Sequence, residues 1–568
     1  MFNLSLSSQF NTIDYVAFVV VFVVSYLIGL YYAVWSKRRQ NTPEDYFLGG
    51  RNMGVIPVAI SLLATFVSGI NMIGMSTDVY LFGTLHWMYI VTFLIMTIVV
   101  IYVFLPIFYD LQLASTFEYI KLRFGRKAQL LASLISMITT TLLVAVNLYV
   151  PALILNYILG TSILTGTMFL GTCCIFYTTF GGFRAVVWAD LFQTVIILLC
   201  SFVILSIGLR MTGGVYEVWN VCDQGGRLKL YDLSLDPTIR LTTWGYLFGN
   251  TLVALQQFGL NQSSIQRYLS TSSMTKARSV AVVFYIGYVT TLLLSIATGM
   301  VIFTYYKNCD PITSGLVRKP DQVVALFVME MSQHLPGLQG IFVAGIVAGC
   351  LSTMSSFLNS TTVCLYEDFL RPVLPEMSNQ KTCNLLKVLT IVLGCVQIGL
   401  VFVVQKLGTI VTIIFTVIGL TGGTMLGLFT LGMLVPKANQ TGAITGTVTS
   451  IVCVAVVIYG GLNKKPCPTL SMSTDGCLHN FTSPLNPSNF EEPEESDDLP
   501  LIFRISFMYY ATIGIAMVYL VGWPVSLLTG GNTITDQRLL APFLRKNDLE
   551  EPEKAILEKV DLLPDKSA

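Results

Sequence analysis

Ala64-Thr-Phe-Val-Ser-Gly-Ile-Asn71 interrupts an apolar run, placing Thr65, Ser68, Gly69 and Asn71 in the middle of an otherwise hydrophobic helix. Polar groups at bilayer depth are costly and tend to mark a pathway or a site. A second stretch, Asn250-Thr-Leu-Val-Ala-Leu-Gln-Gln-Phe-Gly-Leu-Asn-Gln262, is likewise polar and contains glycine. Interrupted helices at corresponding positions of two halves are what a carrier built from inverted repeats predicts, with unwound carbonyls for a cation and helix N-termini for an anion. Close helix packing through small residues is the competing explanation.

Outward from these stretches the chain is apolar throughout. Of 568 residues, 54% are hydrophobic and 11% charged, and the mean hydropathy is +0.70, which excludes a soluble globular protein. A net charge of +1 offers no basic surface for nucleic acid. Bilayer-length runs of about 20 residues recur, and thirteen are expected: 15–35, 56–80, 85–109, 130–150, 154–178, 186–209, 242–260, 279–305, 336–365, 385–404, 409–434, 443–460 and 505–528. The expectation is an all-α polytopic membrane protein with about 13 transmembrane helices. The two interrupted stretches fall in the second and seventh runs, five apart.

Cytoplasmic connections carry the excess of Lys and Arg. Lys37, Arg38, Arg39 and Arg51 follow the first run, Lys121, Arg123, Arg126 and Lys127 the third, and Arg267, Lys276 and Arg278 the seventh. The turns at Phe82–Thr84 and Pro151–Leu153, and the first thirteen residues, have none. This puts the N-terminus outside and the C-terminus inside. The N-terminal segment lacks the basic start of a signal peptide, so the first run is expected to be retained. Sequons at Asn3 and Asn480 fall on the outer side and are expected to be glycosylated, whereas Asn359, inside a run, and Asn439, in an inner connection, should stay bare.

Most of the twelve cysteines sit singly in apolar runs, as packing residues do. Cys467 and Cys477 flank part of a polar loop, a candidate disulfide, and Cys309 sits in another loop, so pairing is open if those loops face the oxidising side. The expected division is an extracellular segment 1–13, a transporter domain 14–528, an extracellular loop 461–503 and a cytoplasmic tail 529–568. Glu491–Asp498 and the charged tail read as solvated chain with no fold of its own. The final residues, PDKSA, do not resemble a scaffold-binding end, so no scaffold partner is implied.

The ninth run holds the densest hydroxyl cluster, Ala348-Gly-Cys-Leu-Ser-Thr-Met-Ser-Ser-Phe-Leu-Asn-Ser-Thr-Thr362. Hydroxyls are hard, neutral ligands suited to a weakly held Na⁺. Side chains at 352 and 353 project about 100° apart, so both reach one ion while Gly349, one turn earlier, lends a carbonyl. In the sixth run Asp190 can either guide Na⁺ inward or pair with nearby Arg184.

Together these residues resemble the sodium:solute symporter family, whose members share a LeuT-like core of two inverted five-helix repeats. The resemblance runs from about Asp14 to Leu528. It rests on Glu44-Asp-Tyr-Phe-Leu-Gly-Gly-Arg51, on Tyr177-Thr-Thr-Phe-Gly-Gly-Phe-Arg-Ala-Val-Val-Trp-Ala-Asp-Leu-Phe-Gln193, and on Asn261-Gln-Ser-Ser-Ile-Gln-Arg-Tyr268. Cys309-Asp-Pro-Ile-Thr-Ser-Gly315, Asp321-Gln322 and Leu351-Ser-Thr-Met-Ser-Ser-Phe-Leu-Asn359 add to it. It implies core repeats over about 54–211 and 241–434. It also implies a sodium site made by the carbonyls of Ala64, Val67 and Gly349 with the hydroxyls of Ser352 and Thr353, and a place for Asp190 on the inner sodium route. Val67 replaces a bulkier apolar residue of some relatives, which a carbonyl ligand hardly feels.

Within the family the chain looks most like the branch of sodium-coupled monocarboxylate, multivitamin and iodide transporters, with Phe415-Thr-Val-Ile-Gly-Leu420 adding to the likeness. Thr412-Ile413-Ile414-Phe415 offers little hydrogen bonding for a hexose, which disfavours a sugar. Substrate-lining candidates are Ser68, Asn71, Met72, Gln257, Phe258 and Phe415; none is basic. An anion would be held by bound Na⁺, helix N-termini and hydroxyl or amide donors. The expected function is sodium-driven import of a small organic anion across the plasma membrane, a monocarboxylate or a vitamin such as biotin or pantothenate. Iodide-like anions and a non-transporting solute sensor are the alternatives. No channel-filter sequence is visible, and no enzyme motif accompanies the three histidines, His86, His334 and His479.

Overall fold

The computed structural model describes residues 11–35, 42–159, 161–317, 319–332, 335–405, 410–462, 467–477, 499–532 and 536–545. Without water in the bilayer, a backbone must satisfy its own polar groups, and the apolar runs accordingly form helices. Those that position the site are α1 (Thr12–Trp35), α2 (Val55–Phe66), α3 (Gly69–Phe82), α4 (Tyr89–Val99), α5 (Leu105–Leu111), α6 (Thr116–Phe124), α7 (Arg126–Leu159) and α8 (Ile163–Met211). They continue as α9 (Thr251–Ala254), α10 (Gln262–Leu269), α11 (Met274–Tyr305), α12 (Leu338–Cys364), α13 (Asn379–Val404), α14 (Ile410–Leu434), α15 (Gln440–Gly460) and α16 (Tyr510–Leu528).

Ten helices among the described residues are long and apolar enough to span a membrane, or eleven if the bent pair Pro43–Arg51 and Val55–Phe66 counts as one. Thirteen were expected, and the difference has a local cause. The fifth and sixth runs follow one another with no loop between them, as two helices that meet at a kink at Gly182 (φ 60°, ψ −164°) and are written together here as α8. The second run is broken at Val67 and Ser68 into pieces too short to count alone, and the seventh is helical only from about Gly245 to Leu260 before Asn261 leaves helical geometry. The turn expected at Pro151–Leu153 is also absent: Pro151 lies inside α7, and the next helix starts at Ile163, capped by Ser162.

The break in the second run falls where the sequence placed it. Val67 (φ −90°, ψ 81°) and Ser68 (φ −85°, ψ 165°) leave helical geometry between α2 and α3. In the seventh run, π-helical turns at Gly245–Asn250 and Leu255–Leu260 flank α9. That run ends at Asn261 (ψ 138°), whose side chain accepts from the Ser263 amide to start α10.

At the centre stands α12, in which every residue except Ile341 is buried. It packs on the break through two glycines. A Cβ on Gly349 would lie 2.7 Å from the Gly69 nitrogen, and one on Gly69 would lie 2.9 Å from the Ile346 Cα.

Two connections are tied to the helical body. The disulfide joins Cys477 to Cys309 across 168 residues, rather than to Cys467, which is exposed and free. The reason is how segment 467–477 lies on the loop after α11: the Asp310 amide donates to Ser473 O, the Gly476 amide to Asn308 O, and buried Arg227 reaches Ser471 O. The second correction concerns the tail. Residues 536–545, expected to be solvated, are docked: Leu539, Leu540 and Ala541 are buried. Tyr119 donates to Leu539 O, the Ala541 amide to Met433 O, and Arg545 pairs with Asp110 at 2.8 Å. Asn3, Asn480 and the acidic stretch Glu491–Asp498 lie outside the described residues.

Candidate functional site

A helix leaves its last carbonyls without intrahelical partners, and breaking α2 at Val67 brings such an end into the middle of the protein. Those carbonyls meet α12. Ser352 Oγ lies 2.8 Å from Ala64 O and 2.9 Å from Gly349 O. Thr353 Oγ1 lies 3.0 Å from both Thr65 O and Gly349 O. Ser352 is wholly buried and Thr353 nearly so. Four of the five expected ligands are thus one contiguous set of neutral oxygens, joined by Thr65 O, which the sequence reading did not include. Val67 stands beside them at the unwound peptide. No group of three His, Cys, Asp or Glu residues among those described could hold a metal; the oxygens gathered here are carbonyls and hydroxyls. Such hard, uncharged donors suit an alkali ion.

One helical turn along α12, Ser356 belongs to a second cluster. Asp190 Oδ2 accepts from Ser61 Oγ (2.6 Å) and Ser356 Oγ (3.3 Å), and pairs with Arg267 Nη2 at 3.2 Å. The expected alternative partner, Arg184, instead donates to Gly49 O. Arg267 also donates to Ser61 Oγ, Ser263 O and Oγ, and Ser356 Oγ. Thr65 Oγ1, 3.0 Å from Ser356 Oγ, links this cluster to the first. Asp190 is fully buried and Arg267 is 1% exposed. A buried charge needs pairing and hydrogen bonds to persist, and here the fork of one arginine ties α2, α8, α10 and α12 together. The sequence places Arg267 among the loop cations; its position in the Asn261–Tyr268 motif is the one local signal of its burial.

The substrate-lining candidates are only partly assembled. Phe258 packs against Phe66 (ring centroids 4.5 Å), Phe93 (4.9 Å), Phe284 (5.3 Å) and Tyr288 (5.9 Å). It is the middle of an aromatic plug beside the break. Gln257 Oε1 takes the Asn261 amide at 3.4 Å, and Ser68 is buried at the break. Met72 faces α8, its sulfur 3.8 Å from Ser201 Oγ. The side chains of Asn71 and Phe415, and that of Thr412, lie outside the described residues.

Comparison with known proteins gives a consistent picture. The family model described as "Sodium:solute symporter family" matches residues 46–450. The chain is 34% identical over 528 residues to sodium-coupled monocarboxylate transporter 2 of Bos taurus, covering 92% of this chain and 85% of that one. It is 34% identical over 523 residues to a putative sodium-dependent multivitamin transporter of Drosophila melanogaster, covering 91% and 86%. A solved Na⁺-coupled sialic acid symporter superposes with a TM-score of 0.75 at 23% identity, over 93% of this chain and all of that one. This last likeness speaks to the fold, a LeuT-like bundle.

Proposed function

The chain is a member of the sodium:solute symporter family, and from that premise we propose that it imports a small organic anion together with Na⁺. It is a multi-pass secondary carrier rather than an enzyme, and sodium and a solute are its transported ligands. The observation that carries the sodium half is the convergence of Ser352 Oγ and Thr353 Oγ1 on the carbonyls of Ala64, Thr65 and Gly349. Those oxygens, with Val67 O, form the proposed ion site.

The proposed substrate is a monocarboxylate or a vitamin carboxylate such as biotin or pantothenate. It is supported by the names of the relatives; none of Ser68, Asn71, Met72, Gln257, Phe258 and Phe415 is basic, so the carboxylate would be held by bound Na⁺, helix N-termini and hydroxyl or amide donors. In the proposed cycle, Na⁺ arriving from outside joins the end of α2 to α12 and favours the substrate-competent state. Rocking then exposes the inner side, where the ion leaves past Asp190. Asp190 Oδ1 accepts no hydrogen bond from a described residue and is the group a departing cation meets. One charge moving down 100 mV supplies about 2.3 kcal/mol before the concentration gradient is added. The proposed location is the plasma membrane, with the N-terminus outside and the C-terminus inside, supported by the loop charges and the outer sequons.

The test is uptake of labelled lactate, nicotinate, biotin, pantothenate, iodide and glucose by cells expressing the chain, in sodium and in choline medium. The Ser352→Ala/Thr353→Ala variant is run beside it. Sodium-dependent uptake of one carboxylate, lost in a variant that still reaches the surface, is expected. Uptake of iodide alone overturns the substrate class, and no sodium-dependent uptake of any panel member at confirmed surface expression favours a sensor.

A further inference from the structure

The connection after α8 turns at Gly213 and Gly214, whose φ of 88° and 92° suit glycine, and enters a short helix, Val215–Gln224. From Arg227 to Asp236 it runs on without helix or strand. This connection carries more apolar surface than an aqueous loop needs. Tyr216, Trp219, Tyr231, Leu233 and Leu235 are each more than half exposed, and a set of that size marks a contact surface.

The short helix has three sides. Val218 and Cys222 form the first: both are buried, and Cys222 donates to Met300 O at 3.6 Å and lies 3.9 Å from Thr304 Oγ1, on the last two turns of α11. Glu217, Asn220 and Gln224 form the second, and Glu217 meets Lys307 at 3.6 Å. Lys307 is the first charged residue after Arg278, beyond the apolar length of α11, so this side faces water. Val215, Tyr216 and Trp219 form the third, within an arc of about 100°, which Asp223 closes in the last turn. The third side continues the exposed apolar face of α8, where Met211 stands four residues before Val215 and Leu199 and Phe202 lie further down. At the other end of the connection, Trp87 donates to Leu230 O at 2.7 Å and Trp244 to Leu233 O at 3.2 Å. Trp244 in turn stacks at 6.0 Å on Phe248, which is exposed on the seventh run. The apolar residues of the connection thus join the exposed faces of two spans.

We propose that residues 215–235 are an interfacial anchor lying in the surface of the bilayer, with Tyr216, Trp219, Tyr231, Leu233 and Leu235 among the lipid heads and upper acyl chains. With protein on one side of the short helix and water on the second, lipid is what meets the third. A helix with separate apolar and polar sides lies in the interface plane, and Trp and Tyr, each an apolar body with a polar tip, are favoured at that depth. The packing agrees: Met300 and Thr304 precede Lys307 by roughly 5 to 10 Å of helix rise. Glu217, Asp223 and Asp232 outnumber Lys229 and the buried Arg227, so the surface has no attraction for anionic lipid and its partner is a zwitterionic leaflet. The topology proposed above makes this the outer leaflet; the embedding itself does not depend on it. Because the Thr243 amide donates to Asp232 O at 2.9 Å and Trp244 is tied to Leu233 O, the anchor holds the start of the run that carries Gln257 and Phe258.

The experiment uses the full chain in phosphatidylcholine vesicles and the fluorescence contributed by Trp219, taken as the parent signal minus that of Trp219→Phe. Three quenchers are compared: phosphatidylcholine brominated near the head of its acyl chains, the same lipid brominated near their methyl ends, and acrylamide in the water. Head-proximal bromine is expected to remove most of the Trp219 signal, tail-end bromine a smaller share, and acrylamide little. Adding phosphatidylglycerol should leave that order unaltered. Leu235→Trp supplies a second reporter should Trp219→Phe not fold, and its added signal should follow the same order. Quenching by acrylamide without loss to bromine would put the segment in water, and a greatest loss to tail-end bromine would put it in the bilayer core. Protection from all three would mean that a second copy or another part of the chain covers it. Each of these outcomes overturns the proposal, as does a loss to bromine that appears only with phosphatidylglycerol present.

Discussion

Ser352 and Thr353 differ by one methyl group, yet each finds a different carbonyl at the end of α2, Ala64 O for the first and Thr65 O for the second. Losing a hydroxyl that ligates a charge removes roughly 1.5–3 kcal/mol, so either alanine variant should raise the half-saturating sodium concentration about ten- to hundredfold. Unaltered sodium dependence in both, measured by uptake, would remove them from the site. Arg267 is a different case. Arg267→Ala strands Asp190 in the interior, and breaking such a pair costs about 3–5 kcal/mol. Thermal unfolding in detergent should therefore fall sharply in Arg267→Ala and recover in part when Asp190→Asn is added. Additive losses in the double-mutant cycle would mean that the two side chains do not act as a pair. The hydroxyls of the proposed ion site were legible as a cluster because they stand in one run; the arginine's place was not, because its partners lie on α2, α8 and α12, far away in sequence.

Among elements, the seam between α12 and the break sets how closely the proposed ion ligands approach. Gly349→Ala puts a methyl 2.7 Å from the Gly69 nitrogen, and because backbone cannot yield as a flexible side chain does, overpacking of about 1–3 kcal/mol is expected there. Uptake should fall with surface expression retained. On the same helix, Gly345→Ala meets only ordinary contact with Cys200, at 3.5 Å, and should behave as the parent. Equal effects of the two would place the cost in α12 itself rather than in its seam with the break. Both interrupted runs were legible from their polar residues. That the fifth and sixth runs meet at Gly182 with no loop between them was not, since Gly181-Gly182 reads equally as a turn between helices or a bend within one. Nor was the passage of α7 through Pro151: neighbouring helices in a membrane can satisfy the group that proline leaves, and no local signal tells whether they will.

At the scale of the whole molecule, each face carries a strap tied by residues distant in sequence. The disulfide predicts that a membrane-impermeant maleimide labels Cys467 alone among Cys309, Cys467 and Cys477 before reduction, and all three after it. Labelling of Cys309 without reduction would break the assignment. Cys309→Ser should cost about 2–5 kcal/mol in thermal unfolding, whereas Cys467→Ser should be silent. On the opposite face, ending the chain after Arg545 should leave stability unchanged, but ending it before Asp536 removes buried Leu539 and Leu540. Two buried leucines contribute roughly 3–5 kcal/mol, an upper figure. Equal stability of the two truncations would show that the docking carries no weight.

By itself the amino-acid sequence determined that the chain lives in a bilayer, that it is helical, that two of its runs are interrupted, and that the ninth run carries a row of hydroxyls. Those properties follow from composition, run length and residue type, which are local and so can be read from one dimension. Only the tertiary structure decided that Asp190 answers Arg267 instead of Arg184, that Cys477 pairs with Cys309, that the tail is docked, and that the connection after α8 packs on α11 with an apolar side left outward. Each of these depends on which surfaces meet across more than sixty residues of intervening chain, and no propensity or periodicity of a single segment carries that information.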